Sequence, residues 1–260
     1  MHRMHRYAPL LLSFLAGFLF SNPVYADPPP LEALAGETKT VDSGTFSLTS
    51  TPFSGVLSAN GGTITTTTPG LTLDAPTLQG ADVRSGGTIT ITDSTFNVLD
   101  GLRVATGGGT IDATNLTIVL GPGGANGAGA QVAGSTITLH GGSITSAPGS
   151  IVQSTGVKAE NHATLIADGT DISGSFRNSA QATAFGSIQL SNLTITQNHV
   201  STGPAFGALE TATGGTISAD HVTINTGTPL NRGVFVQGGV GPANKQHDHH
   251  HCRQFERGTG

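Results

Sequence analysis

The chain has no tryptophan and a single cysteine, Cys252, among 260 residues. One cysteine makes no intramolecular disulfide, so no covalent framework braces the fold. Charge is scarce as well: only 10% of the residues are Asp, Glu, Lys or Arg, the formal net charge is −5 and the pI lies near 6.0. With no basic patch, nucleic acid is excluded as an expected partner. Beyond the first 26 residues no useful stretch carries apolar residues at helical period, which argues against an α/β enzyme domain. What is abundant is glycine, 38 residues, together with threonine and serine. That composition alone would also describe a disordered low-complexity chain. The spacing of the aliphatic residues argues for order instead.

Seven times an aliphatic residue is followed seven positions later by a second apolar one. The pairs are Ile64/Leu71, Ile89/Phe96, Ile111/Ile118, Ile137/Ile144, Leu165/Ile172, Ile188/Ile195 and Ile217/Ile224. Steps between the first members run 25, 22, 26, 28, 23 and 29 residues. A fixed internal spacing inside a variable period marks one structural turn per unit, with insertions confined to a corner. A third phrase recurs as Gly80-Ala81-Asp82-Val83, Gly101-Leu102-Arg103-Val104, Gly129-Ala130-Gln131-Val132, Gly156-Val157-Lys158-Ala159 and Gly233-Val234-Phe235-Val236. Its apolar-x-apolar core reads as a short strand with alternate side chains inward. Gly-Gly-Thr-Ile then opens the next unit at 86–89, 108–111 and 214–217, where glycine permits a tight corner.

Strands this short cannot bury an apolar face alone, so they must stack rung on rung. The expected fold is all-β: a right-handed parallel β-helix of seven to eight rungs, a rod roughly 35 Å long. The fourteen paired aliphatic and aromatic residues are its expected interior stack.

The first 26 residues read differently. A basic start (Met1 to Arg6), an apolar core (Leu10 to Phe20) and Val24-Tyr25-Ala26 describe a secretory signal peptide cut between Ala26 and Asp27. The domain plan is therefore a signal peptide over 1–26, an extended segment or cap over 27–44, the β-helix over 45–239 and a disordered tail over 240–260.

These features together, from the leader through the cysteine-poor β-helix to the Gly-Gly-Thr-Ile and Gly-Val-x-Val phrases, resemble the pertactin-like passenger domain of a bacterial autotransporter. The resemblance covers about Thr45 to Gly239. It implies export, an adhesin or virulence role without enzymatic activity, and a C-terminal translocator barrel in the outer membrane. A host-surface protein or glycan is the partner it implies. Nothing after Val236 reads as the ten-residue amphipathic strands a barrel requires. Surface display is thus expected of a fully read gene, and a periplasmic location of this product by itself. The alternatives are a β-helix polysaccharide lyase or hydrolase, and a truncated product without function.

Candidate sites are few. His247, His249, His250 and His251 with Asp248 and Cys252 would bind a transition metal incidentally, since no element orients them. The composition changes abruptly at this tail. Reading its codons one base later, with C in the third position, turns His247 to His251 into threonine and Cys252 into alanine. A frameshift is the expected origin of 240–260. Carboxylates are scattered at Asp74, Asp82, Asp93, Asp100, Asp112, Asp168, Asp171 and Asp220. Only Asp82 with Arg84 and Asp100 with Arg103 lie close enough in the repeat to share a groove, as acid–base chemistry on a polysaccharide requires. His140, His162, His199 and His221 read as surface turn residues. Leu120–Gly129, Ser173–Thr183 and Gln197–Phe206 are the expected exposed loops. No cofactor is implied.

Overall fold

The computed structural model describes residues 28–68, 70–146, 155–198, 207–226 and 232–237. Among them all regular structure is β, and the strands stack in parallel as a solenoid of about seven turns. Each turn contributes to three faces. The first face stacks Thr38–Val41, Thr63–Thr66, Gly87–Thr92, Gly109–Thr114, Ser135–His140 and Thr164–Asp168, then the leading halves of Ser187–Gln197 and Thr216–Thr226. The second begins at Gly44–Ser47 and takes the start of Leu71–Arg84 and of Thr95–Val104. It continues through Thr117–Leu120, Ser143–Ser146 and Asp171–Gly174 to the trailing halves of the last two long strands. The third face runs from Leu31–Leu34 to Arg232–Gln237.

The first aliphatic column is one unbroken ladder: Ile64, Ile89, Ile111, Ile137, Leu165, Ile188 and Ile217 are register partners in turn, and all are buried. The second column carries Phe96, Ile118, Ile144, Ile172, Ile195 and Ile224, again buried and in register. Leu71 is a correction. It is buried, but the partner of Phe96 is Leu73, and Leu71 lies one repeat of the pleat earlier, beside Gly44. The offset in that rung is nine residues rather than seven.

The reason lies at the corner between the first two faces. In the later rungs the residue four positions after the first aliphatic is left-handed: Asp93, Asn115, Gly141, Gly169, Asn192 and His221, with φ between 47° and 66°. Gly, Asn and Asp tolerate that region best because a Cβ otherwise crowds the carbonyl. After Ile64 the equivalent residue is Thr68, which is unsuited to the turn, and the corner is longer by two residues.

The third face explains the recurrent glycine of its strand phrase by close approach. In the third of these phrases that glycine is Gly127 rather than Gly129, since Ala128 is the residue paired with Leu102 and Val157, and a Cβ on Gly127 would stand 2.4 Å from Ile144 Cγ2 and 2.5 Å from Gly156 O. Gly156 meets Ile172 Cγ2 at 2.6 Å in the same way. Two further differences from the sequence reading follow from this face. Residues 31–44, expected as an extended cap, already form most of the lowest rung, with Leu31 opposite Leu57 and Val41 opposite Thr66. The repeat was hidden there because Lys39 occupies the isoleucine column, paired to Glu37 at 3.7 Å. A lysine at the end of a stack covers it with its stem and discourages further pairing by an edge strand. Second, Ser173–Thr183 is no loop: Phe176 is fully buried and Asn178–Ala182 is a third-face strand. The signal cleavage site at Ala26/Asp27 and the tail His247 to His251 lie outside the described residues.

Candidate functional site

The third face of the rod differs in chemistry from the first two before any site is considered. On the first face an outward ladder runs Thr38, Thr63, Thr88, Thr110, Thr136, Thr164, Ser187 and Thr216. The second face repeats the pattern with Thr45, Thr72, Thr95, Thr117, Ser143, Asp171, Thr194 and Thr223. β-Branched hydroxyl residues suit a half-buried pleated surface. The third face instead carries Arg84, Arg103 and Lys158, and the candidate groove of the sequence reading lies on it.

Asp82 is the centre of that groove. Its side chain is fully buried although it points away from the interior. Strand register places Arg103 directly opposite it on the next rung, and Arg84 follows two residues later on the same side. Arg103 Nε donates to Oδ1 at 2.5 Å, Arg84 Nε to Oδ2 at 2.7 Å, and Ser54 Oγ to Oδ2 at 2.5 Å. Ser54 belongs to the connection that folds across this face, and Arg103 Nη2 also reaches Ser54 O at 3.5 Å. Both oxygens of this buried carboxylate are bonded, and two guanidinium groups flank it. Asp82 is thus a clasp that pins the 51–56 connection to two rungs.

Asp100 does not share Arg103, as the repeat spacing predicted. It accepts the backbone N–H groups of Ala125 and of Asn126, the latter at 3.3 Å, and so anchors the glycine-rich corner 121–125. Gln79 Nε2 donates to Gly101 O at 2.7 Å and to Asp100 O at 3.3 Å. Between these groups lies a shallow hollow of about 100 Å³, lined by Gln79, Asp100, Arg103, Asn126, Gly129 and Gln131. Above it Lys158 Nζ is taken by Glu160 at 2.7 Å. The arrangement can neutralise and cross-link rungs. It brings no carboxylate and base together with both left to react.

Three further carboxylates tie rungs at the corner between the first and second faces. Asp93 Oδ1 accepts Asn115 Nδ2 at 2.9 Å, and Asp171 Oδ1 accepts Thr194 N at 2.8 Å. Asp168 Oδ1 accepts Ser191 Oγ at 2.7 Å and Asn192 Nδ2 at 2.8 Å. Those two hydrogen bonds, with a smaller contribution from the neighbouring His140, hold its carboxyl below the ordinary aspartate range. Asp220 pairs with His221 at 3.0 Å. Asp74 and Asp112 are exposed. His140, His162 and His221 are exposed at corners, and His162 stacks on Phe185 with centroids 5.0 Å apart. His199 lies outside the described residues.

Among the described residues no three His, Cys, Asp or Glu side chains are grouped to hold a metal ion. No helix of the described residues is long and apolar enough to cross a membrane. Sequence reasoning missed the corner bonds that tie rungs through Asx side chains. The signal was present: an Asp, Asn or Gly recurs four residues after most first aliphatics. Compared with family models, curated proteins and solved structures, the chain matches none.

Proposed function

We propose that the chain is an exported, non-enzymatic, adhesin-like passenger fragment of an autotransporter-type outer-membrane protein. Its partner is a protein or glycan of a host surface. The observation that carries the reading is the employment of the carboxylates. Asp82, Asp93, Asp100, Asp168 and Asp171 each accept hydrogen bonds that tie one rung to another, so acidic groups placed where a lyase would use them serve cohesion. A rod with two faces rich in hydroxyl residues and a third carrying Arg84, Arg103 and Lys158 offers extended surface rather than a cleft, which suits display. The leader and the resemblance in repeat phrases supply the direction of export.

The test has two readings. Labelled protein is titrated onto cultured epithelial cells and a glycan array, where saturable binding is expected. The same preparation is incubated with polygalacturonate and other acidic polysaccharides, with and without Ca²⁺. Release of unsaturated or reducing ends would overturn the proposal in favour of a carbohydrate-active enzyme. Sequencing beyond the stop codon should reveal barrel-coding sequence in the +1 frame, and a frame dense in stop codons would remove the autotransporter part.

A further inference from the structure

Two tripeptides have the form Asn-x-Thr with a non-proline middle residue: Asn115-Leu116-Thr117 and Asn192-Leu193-Thr194. This is the acceptor pattern for N-linked glycosylation in exported chains. The pattern is short and recurs by chance, so its placement decides. Both asparagines are exposed, both are left-handed with φ of 52° and 53°, and both occupy the same corner column between the first and second faces. Leu116 and Leu193 turn inward and are buried, so each asparagine is presented at the outermost point of a fixed turn.

The column between them is clear. The two intervening corners are Gly141 and Gly169, so the corner column itself carries no side chain between the two sites, about 14 Å apart for three rungs, and Asp168 flanks it beside Asn192. Gly141 also lies under Asn115, where a Cβ would stand 2.7 Å from Asn115 Oδ1. Each amide has one hydrogen engaged, from Asn115 Nδ2 to Asp93 and from Asn192 Nδ2 to Asp168. An amide nitrogen carries two hydrogens. Substitution of one leaves the other to keep the rung-to-rung bond, so a glycan at either position does not undo the corner.

We propose that Asn115 and Asn192 are N-glycosylation acceptors, forming one glycan-bearing edge of the rod. The donor class is a diphosphate-activated sugar, either nucleotide- or lipid-linked. The bond from sugar C1 to the phosphate oxygen breaks and its electron pair leaves with the diphosphate. The C1–Nδ2 bond forms, and one amide proton passes to the transferase base. The inference stands apart from the adhesin reading, because the modification is read by mass whether or not the rod binds a host surface.

The full chain is purified from the cell that naturally makes it and mapped by peptide mass spectrometry. A sugar mass is expected on the Asn115 and Asn192 peptides, lost at the matching site in Thr117→Val and Thr194→Val. Those changes keep a β-branched residue on the half-exposed strand face, so the fold persists and circular dichroism verifies it. Unmodified asparagine at both sites overturns the proposal, and so does a mass that persists in the Thr→Val variants. A Leu12→Arg/Leu15→Arg leader, which holds the chain in the cytosol, distinguishes the donors. Modification retained there assigns the nucleotide sugar, and modification lost assigns the lipid-linked one.

Discussion

The lower and upper rungs of the solenoid solve the same corner differently. Where the third face meets the second column, the lower rungs place Gly80, Gly101, Gly127 and Gly156, and the aliphatic or aromatic side chain opposite fills the space of the missing Cβ. In the upper rungs Ser179 and Ala208 take over, and the corner is filled by buried Phe176 and Gln197, whose Nε2 donates to Phe176 O at 2.9 Å and Arg177 O at 3.1 Å. Among the described residues the upper rungs also hold more of the buried polar atoms without a hydrogen-bond partner: Asn178 Nδ2, Ser179 Oγ, Gln197 Oε1, Glu210 Oε2 and Thr211 Oγ1, against Thr67 Oγ1 and Ser135 Oγ lower down. Each such group costs about 1–3 kcal/mol unless water reaches it. A quasi-one-dimensional fold sums its stability rung by rung. The lower rungs are therefore the cohesive part, and the upper rungs the part that opens first.

The strongest way to break that comparison is to place a charge in each region. Ile137→Asp puts a carboxylate into the dry middle of the first column and should cost on the order of 4 kcal/mol, through an unpaired buried charge. Ile224→Asp, at a position 8% exposed in the top rung, should cost less than half of that. Denaturant unfolding of the full chain measures both. Equal losses would mean that the rungs are not ranked as the polar atoms indicate.

A smaller effect tests the glycine rule. Gly127→Ala adds a Cβ against Ile144 and the Gly156 carbonyl, neither of which can withdraw without moving a rung, and should cost about 2 kcal/mol. Ser179→Ala removes a buried hydroxyl that lacks a partner and should be neutral or stabilising by up to about 1 kcal/mol. A loss at Ser179 equal to that at Gly127 would show that the serine hydroxyl is satisfied by water and contributes to the corner.

Hydrogen exchange sharpens the same contrast without mutation. Amides of Gly207–Ala212 and Arg232–Gln237 should exchange by local opening, well before those of Gly109–Thr114 and Ser135–His140. Uniform protection along the rod would indicate all-or-none opening.

Why some rungs were legible in the sequence and others were not follows from what each position must satisfy. Ile89 to Ile224 could be read because an interior column admits only apolar residues, and each corner after Ile89 has a left-handed residue that keeps the spacing at seven. The rung through Ile64 lacks that residue, so Leu71 was named where Leu73 stands. The lowest rung was missed because Lys39 breaks the apolar code at an end where only half a neighbour needs covering. Asn178–Ala182 was mistaken for a loop because small residues, Ala180 and Ala182, carry the inward pattern there. The groove was half legible. Asp82 with Arg84 and Asp100 with Arg103 are the pairs the spacing brings to one groove, but that Asp82 takes Arg103 as well, and that the connection carrying Ser54, 28 residues earlier in the chain, closes over it, are tertiary facts, visible only in the contacts of Ser54 and Arg103 with Asp82.

The smallest expected effect concerns the corner bonds that both regions share. Asp168 joins the two by accepting Ser191 Oγ and Asn192 Nδ2 from the next rung, and these bonds lower its carboxyl pKa, Ser191 first. The folded pKa lies below the unfolded one, so the ionised group favours the folded state above the unfolded value. That contribution is lost as pH falls through the depressed folded pKa. The carboxylate meets solvent, so water screens the effect and only a slight loss of stability is expected in acid. Ser191→Ala removes the larger cause while leaving the left-handed Asn192 in place. Carboxyl-carbon NMR titration should then show the Asp168 midpoint moving up toward the ordinary aspartate value, with the acid limb of the unfolding curve moving the same way. An unchanged midpoint would show that Asn192 and His140 suffice to hold the charge, and that the corner tolerates loss of a hydroxyl that the interior columns would not.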